Sequence, residues 1–159
     1  MATPPATGQQ RPALMLLCLA QFVLVLDFAI VNVALPTIQK SLGFTAGQLP
    51  WVVGAYALFF GGFLLVGGRA GDLIGRKRMF VAGLVVFTLA SLLGGLATAP
   101  IVLIAARALQ GLAAAAVSPA VLALIAAGYP EGEERTHAMG VFGAVSSAGF
   151  TGGVLFGGI

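Results

Sequence analysis

The chain has 159 residues, of which 59% are hydrophobic and 8% are charged, and its formal net charge is +3. Because soluble domains carry about 25% charged residues, this composition excludes an ordinary soluble domain and predicts a protein embedded in a lipid bilayer. The positive charge does not indicate nucleic-acid binding, because the basic residues cluster in short segments between apolar stretches.

The first membrane-spanning helix is predicted over residues 13–35, after a cytoplasmic tail formed by residues 1–12. A helix needs about 20 apolar residues to cross the hydrocarbon core, and this run lies between Pro12 and Pro36. A cleaved signal peptide is the alternative, but the apolar run continues past Asp27 and no small-residue cleavage site lies beyond it. Cys18, the only cysteine, excludes an internal disulfide and a cysteine-cluster metal site.

A basic segment connects the next two predicted spans, which cover residues 51–68 and 79–97. Residues 67–80 hold four of the eight basic residues, namely Arg69, Arg76, Lys77 and Arg78. A short and strongly basic connection between two apolar segments is typical of a cytoplasmic loop.

The last two spans are predicted over residues 101–127 and 138–159, on either side of a polar break at residues 129–135. Gly149, Gly153 and Gly157 recur every four residues and therefore share one face of the last helix. Such a face permits either close helix packing or bending, and its partner helix could lie outside this chain. Because the last apolar stretch is still running at Ile159, we expect the chain to be a fragment of a longer protein.

The distribution of lysine and arginine predicts the orientation. With the N-terminus in the cytoplasm, the cytoplasmic segments hold Arg11, Arg69, Arg76, Lys77, Arg78 and Arg135, and the outer turns hold only Lys40. Cytoplasmic loops of membrane proteins carry such an excess of basic residues. The sequence therefore predicts a multi-pass protein of the cell (plasma or inner) membrane with a cytoplasmic N-terminus.

Two charged residues, Asp27 and Arg107, fall inside predicted spans. Each costs about 2.5–3.5 kcal/mol at the bilayer centre and is expected to face the bundle interior with a partner. At about 1.5 Å of rise per residue, both lie roughly 9–12 Å below the outer edge of the membrane, so they could pair if spans one and four are neighbours. Such a pair could couple transport to protons, or it could be a static contact between helices.

Four motifs in these spans and loops occur in the order and at the spacing typical of one family. The loop after span two matches Gly-x-x-x-Asp-x-x-Gly-Arg-Lys at Gly68, Asp72, Gly75, Arg76 and Lys77. Span one carries the run from Leu26 to Pro36, which includes Asp27 and Asn32 and has Ala29 where a threonine is usual. Span four carries Arg-x-x-Gln-Gly at Arg107, Gln110 and Gly111. Span five aligns with a glycine motif at Gly149, Gly153, Gly157 and Gly158, with Val154 in place of its proline.

Through these motifs the chain resembles the major facilitator superfamily, specifically its branch of multidrug:proton antiporters with fourteen spans. The resemblance implies an all-α integral membrane protein in which this chain, with about five transmembrane helices, is the N-terminal part of a helical bundle. It also implies that the missing C-terminal half is a partner, and that Asp72 and Arg76 help to hold the two halves together. The glycine motif of span five is the one that marks antiporters in the family.

The expected function is secondary active transport, in which small amphipathic or cationic drugs leave the cell in exchange for protons. Asp27, Arg107, Asn32 and Gln110 are the expected proton-coupling and translocation residues. Two alternatives remain open: a truncated fragment that carries nothing, and an exporter of one dedicated metabolite. The sequence contains no P-loop, no Cys/His metal cluster and no nucleophile–base pair, so we expect neither an enzyme nor a bound cofactor or metal.

Overall fold

The structure is a computed structural model that describes residues 10–157. Within this range every regular element is an α-helix, and each of the five helices is long and apolar enough to cross a membrane. They are α1 (Gln10–Leu42), α2 (Pro50–Ile74), α3 (Arg76–Gly95), α4 (Pro100–Gly128) and α5 (Glu133–Gly157). The predicted all-α membrane bundle of about five helices is confirmed. Residues 1–9 of the predicted tail, and Gly158 of the glycine motif, lie outside the described residues.

Helix α1 continues well beyond residue 35, where the sequence predicts its end. Pro36 lies inside the helix and is exposed, and its missing N–H removes one intrahelical hydrogen bond. The turns after it are held by packing, because Ile38 and Leu42 contact a small apolar cluster built on Phe44, Val52 and Leu103. Tertiary contacts therefore offset the local cost of the proline.

The basic segment expected as a loop over residues 67–80 is almost entirely helical. Helix α2 runs to Ile74, α3 starts at Arg76, and Gly75 alone separates them. Gly75 has φ +109° and ψ 126°, a backbone conformation that only glycine adopts without strain. One glycine therefore reverses the chain, and both helices keep their basic residues on their ends.

Helix α4 is the central helix of the bundle. It packs along both α2 and α3 and also contacts α1 and α5. Residues 113–116 of α4 are all alanine, which lets neighbouring backbones approach closely. On α2, a Cβ at Gly67 would collide with the backbone of Ala115, and on α3 a Cβ at Gly83 would lie 3.2 Å from the carbonyl oxygen of Ala113.

Helix α5 packs against α1 through the predicted glycine face. Cβ atoms built on Gly149, Gly153 and Gly157 would lie 2.9 Å from the Phe22 carbonyl oxygen, 2.5 Å from Ala29 Cβ and 3.1 Å from Val33 Cβ. The partner of this face, which the sequence left open, is therefore α1 of the same chain. The matching order of the contacts shows that α1 and α5 run parallel.

The basic ends of the helices gather at one end of the bundle. Arg76, at the start of α3, donates a hydrogen bond to the carbonyl oxygen of Ala123 near the end of α4. Arg11 at the start of α1 lines a cavity together with Tyr129, which follows α4, and Glu133, which begins α5. Helices α1, α3 and α5 therefore begin where α2 and α4 end.

Candidate translocation site

A buried ion pair joins α1 to α4 in the middle of the bundle. The Arg107 Nη1 atom lies 2.6 Å from Oδ2 of Asp27. The Arg107 side chain is 1% exposed and that of Asp27 is 21% exposed. The pairing expected from the depths of the two residues is therefore present, and the carboxylate is the more accessible partner.

Gln110, one turn along α4, extends the pair into a polar network. Its Oε1 accepts a 2.8 Å hydrogen bond from Arg107 Nη1, and its Nε2 donates to Asp27 Oδ1 at 3.0 Å. The same Nε2 donates to the hydroxyl of Ser91 on α3 at 2.8 Å. The Ser91 hydroxyl in turn donates to the carbonyl oxygen of Phe87. Three helices are thus joined through one glutamine side chain, and both carboxylate oxygens of Asp27 accept a hydrogen bond.

The Arg107 guanidinium is held by two further contacts on α2. Its Nε donates a 3.2 Å hydrogen bond to the Val52 carbonyl oxygen, and its Cζ lies 4.5 Å from the centre of the Tyr56 ring. Its Nη2 is buried and has no hydrogen-bond partner among residues 10–157. An arginine carries five N–H donors, so two of them point to no acceptor here, and the aromatic ring is the remaining neighbour of the cation.

Two cavities flank this network. The polar cavity, of about 540 Å³, is lined by Asp27, Ser91, Arg107 and Gln110 and by apolar residues of α1, α3 and α4. The aromatic cavity, of about 270 Å³, lies between α1, α2 and α4. Its lining residues are Gln21, Leu24, Val25, Phe28, Tyr56, Ala57, Phe60 and Ser118. Asp27 therefore faces the polar cavity, and Tyr56 belongs both to the aromatic cavity and to the surroundings of Arg107.

Asn32, predicted to belong to the translocation path, does not join the network. Its Nδ2 donates a 2.8 Å hydrogen bond to the Phe28 carbonyl oxygen of its own helix. Both residues lie on α1, one helical turn apart. The structure thus brings together Asp27, Arg107 and Gln110 of the four predicted translocation residues.

The residues of the predicted loop motif form a separate site at the basic end of the bundle. Arg76 of α3 pairs with Asp72 of α2 across the Gly75 turn at 3.2 Å and reaches the Ala123 carbonyl oxygen. Gly68 lies beside Pro119, and Gly75 makes the turn. Lys77 is exposed. A cavity of about 220 Å³ between Gly68, Asp72, Arg76 and Ala123 marks this site.

Ser91 and Tyr56 are the two site residues that sequence reasoning missed. Each is a polar-tipped side chain inside an apolar helix, which is the signal that could have found them. Ser91 is one of several serines and threonines in the spans, and most of these, such as Thr88, bond only to a carbonyl oxygen of their own helix. Contact with another helix separates Ser91 from them, and that contact exists only in the folded bundle.

Known proteins similar to this chain are exporters and resistance proteins. It is 46% identical over 153 residues to the cephamycin export protein CmcT of Amycolatopsis lactamdurans, covering 96% of this chain and 32% of that protein. It is 51% identical over 146 residues to the puromycin resistance protein pur8 of Streptomyces alboniger, covering 92% of this chain and 29% of that protein. It is 44% identical over 141 residues to the multidrug resistance protein Stp of Mycobacterium tuberculosis, covering 89% of this chain and 26% of that protein.

The chain thus spans about a third or less of the length of these relatives. A model of the Major Facilitator Superfamily matches residues 17–159, which include α1 from residue 17 onward, the helices α2 to α5 and the buried network between them. This match agrees with the four motifs and with the arrangement of the helices. The chain belongs to the Major Facilitator Superfamily.

Proposed function

We propose that this chain is the N-terminal part of a proton-coupled efflux transporter whose substrates are small amphipathic or cationic compounds. The similarity to proteins named for multidrug resistance and puromycin resistance supports export of small organic molecules. The complete protein would alternate between two states around a cavity near the middle of the membrane. Its N-terminus would lie in the cytoplasm, on the side where the basic helix ends gather.

The single observation that carries the proton coupling is the unequal exposure of the ion pair. Asp27 is 21% exposed and lines the polar cavity, whereas Arg107 is 1% exposed. A proton that enters the cavity therefore meets the carboxylate, which is the more accessible member of the pair. Ionisable residues at membrane depth that pair with each other and face a cavity are typical of proton pathways.

Proton binding at Asp27 would remove the charge that balances Arg107. The proton turns one carboxylate oxygen into a hydroxyl, which donates a hydrogen bond and accepts its present one more weakly. Loss of one partner of a buried ion pair costs about 3–5 kcal/mol. A shift of a two-state equilibrium from 1:99 to 99:1 needs about 5.5 kcal/mol, so this single event is of the size that a conformational change requires.

The other predicted residues have supporting roles in this proposal. Gln110 orients both members of the pair, and Asn32 shapes α1 one turn beyond Phe28. The loop motif of Gly68, Asp72, Gly75, Arg76 and Lys77 would act as a conformational switch at the cytoplasmic end. The glycine face of Gly149, Gly153 and Gly157, with Gly158 following it, would let α5 move along α1.

Export of one dedicated metabolite is the second candidate. It is favoured by the similarity to a cephamycin export protein, which covers 96% of this chain. Both candidates share the same coupling chemistry and differ only in substrate range. Efflux assays with puromycin, ethidium and a cephamycin side by side distinguish a broad exporter from a dedicated one.

Asp27→Asn tests the coupling directly. In proteoliposomes containing the full-length gene product, we expect this variant to lose substrate-dependent proton movement, because the amide cannot take up a proton at neutral pH. Its amide oxygen still accepts a hydrogen bond from Arg107, so we expect near-normal expression. Glu131→Gln is the matched control, because Glu131 is an acid in an exposed loop, paired only with Arg135 on the surface. Undiminished proton movement in the Asp27→Asn variant would remove this residue from the mechanism.

A further inference from the structure

Tyr56 occupies the boundary between the aromatic cavity and the ion-pair network. It is 7% exposed, and its ring centre lies 5.3 Å from that of Phe28 and 6.0 Å from that of Phe60. The same ring lies 4.5 Å from the guanidinium carbon of Arg107. One side chain is thus in contact with the aromatic cavity and with the arginine that balances Asp27.

The lining of the aromatic cavity indicates the chemistry of its ligand. Three aromatic rings line it, and besides the Tyr56 hydroxyl its polar groups are Gln21 and Ser118, which share a hydrogen bond of 3.4 Å. No charged side chain is among its lining residues in the described part of the chain. Such a lining favours a planar aromatic group, either uncharged or with a delocalised positive charge that stacks on the rings.

The environment of Arg107 makes it sensitive to the position of the Tyr56 ring. The Nη2 atom of Arg107 is buried without a hydrogen-bond partner among the described residues. An aromatic face stabilises a desolvated cation, and this contact changes an equilibrium by roughly 10-fold or more. A displacement of the ring would therefore change the free energy of holding the guanidinium beside Asp27.

We propose that Tyr56 is the positioning residue that couples occupancy of the aromatic cavity to the protonation of Asp27. A planar substrate packed against Phe28 and Phe60 fixes the Tyr56 ring over Arg107, and the fixed guanidinium favours the ionised carboxylate. Asp27 then gives up its proton to water in the polar cavity, so that one proton leaves as one substrate binds. This inference rests on the proposed function, in which Asp27 is the proton-binding group.

Fluorinated phenylalanines at position 56 test the inference, because stepwise fluorination weakens the attraction of the ring for a cation while nearly preserving its shape. The probe is ethidium, a planar cation whose charge does not titrate, so every proton released comes from the protein. The full-length gene product in detergent is mixed with ethidium, and a pH-indicator dye reports the protons released per ethidium bound. We expect Phe at position 56 to release protons like the native tyrosine. We expect trifluorophenylalanine to lose most of that release, because it lacks the cation–π contact that changes the equilibrium by roughly 10-fold.

The same series at position 63 is the matched control. The Phe63 ring stacks on Phe59 of the same helix, and it is not among the residues that line the aromatic cavity. Fluorination there is expected to leave both ethidium binding and the protons released per bound ethidium unchanged. Equal effects at positions 56 and 63, or no trend at position 56, would overturn the coupling role of Tyr56.

The same measurements distinguish a failure of the role of Asp27 from a failure of the role of Tyr56. If the native protein releases no proton on binding ethidium, or if Asp27→Asn releases as many as the native protein, the proton-binding role of Asp27 fails and the inference fails with it. If the native protein releases protons, Asp27→Asn does not, and the series at position 56 is flat, only the role of Tyr56 is lost.

Discussion

Gln110 is the residue through which the buried charges of the bundle are connected to a third helix. Both of its amide N–H groups donate, to Asp27 and to Ser91, and its oxygen accepts from Arg107. A glutamine that is satisfied on every side has one orientation, which fixes the position of the carboxylate as well. The ion pair of Asp27 and Arg107 is therefore oriented by neutral groups.

Ser91→Ala is expected to loosen this orientation without removing any charge. The substitution leaves one N–H of Gln110 without its acceptor, and interhelical hydrogen bonds in membranes contribute about 1 kcal/mol. We expect a decrease of ~2–4 °C in the apparent Tm in detergent, together with slower proton-coupled transport. Thr88→Ala is the control, because Thr88 lies one turn earlier and bonds only to the Leu84 carbonyl oxygen of its own helix. Equal effects of the two substitutions would show that Ser91 serves only its own helix.

The sequence was sufficient to predict the charged members of the site, and the family motif added Gln110, but Ser91 and Tyr56 could not be predicted. Asp27 and Arg107 could be recognised because a charge inside an apolar span requires a partner, and helical rise places the two at one depth. Ser91 and Tyr56 carry no such requirement, because a serine can bond to its own helix and a tyrosine is an ordinary membrane residue. Their roles follow from which helices face each other.

At the scale of helices, the ends of elements were the least predictable feature. Pro36 and the start of the basic segment at residue 69 both look like breaks, yet α1 continues through Pro36 and α2 continues to Ile74. In each case the added turns are packed in the bundle, since Ile38 and Leu42 contact the Phe44 cluster and Gly71 is buried. Local sequence patterns indicate where continuing a helix costs free energy. They do not indicate the tertiary contacts that offset this cost.

Gly153→Ala is expected to separate α5 from α1. The new methyl group would lie 2.5 Å from Ala29 Cβ and 2.9 Å from the Leu26 carbonyl oxygen, and backbone cannot move aside as a flexible side chain can. Overpacking of this kind costs about 1–3 kcal/mol, which a lower apparent Tm of the purified protein would report. Gly143→Ala on the same helix is the control, because nothing lies within 4 Å of its Cβ position and the alanine favours the helix. An unchanged Tm for Gly153→Ala would mean that α1 and α5 are not packed closely in the membrane.

At the scale of the whole molecule, the alternating direction of the helices concentrates charge at one end. Three helices start at this end, and each has an arginine in its first turn: Arg11, Arg76 and Arg135. Helix α2 ends there and carries Arg69. Lys40 lies near the end of α1, at the opposite side of the bundle. The fold thus places most of the basic residues at one end of the bundle. Such a difference in basic residues between the two ends is what sets the orientation of a membrane protein.

Labelling with a membrane-impermeant maleimide in intact cells tests this orientation. Lys77→Cys is expected to remain unlabelled until the cells are opened, whereas Lys40→Cys is expected to react from outside. Both side chains are exposed in the bundle, so a difference between them reports their side of the membrane rather than their burial. The unsubstituted protein gives the background, to which Cys18 contributes little because it is 4% exposed. Labelling of Lys77→Cys from outside would contradict this orientation and place the basic end of the bundle on the outer side of the membrane.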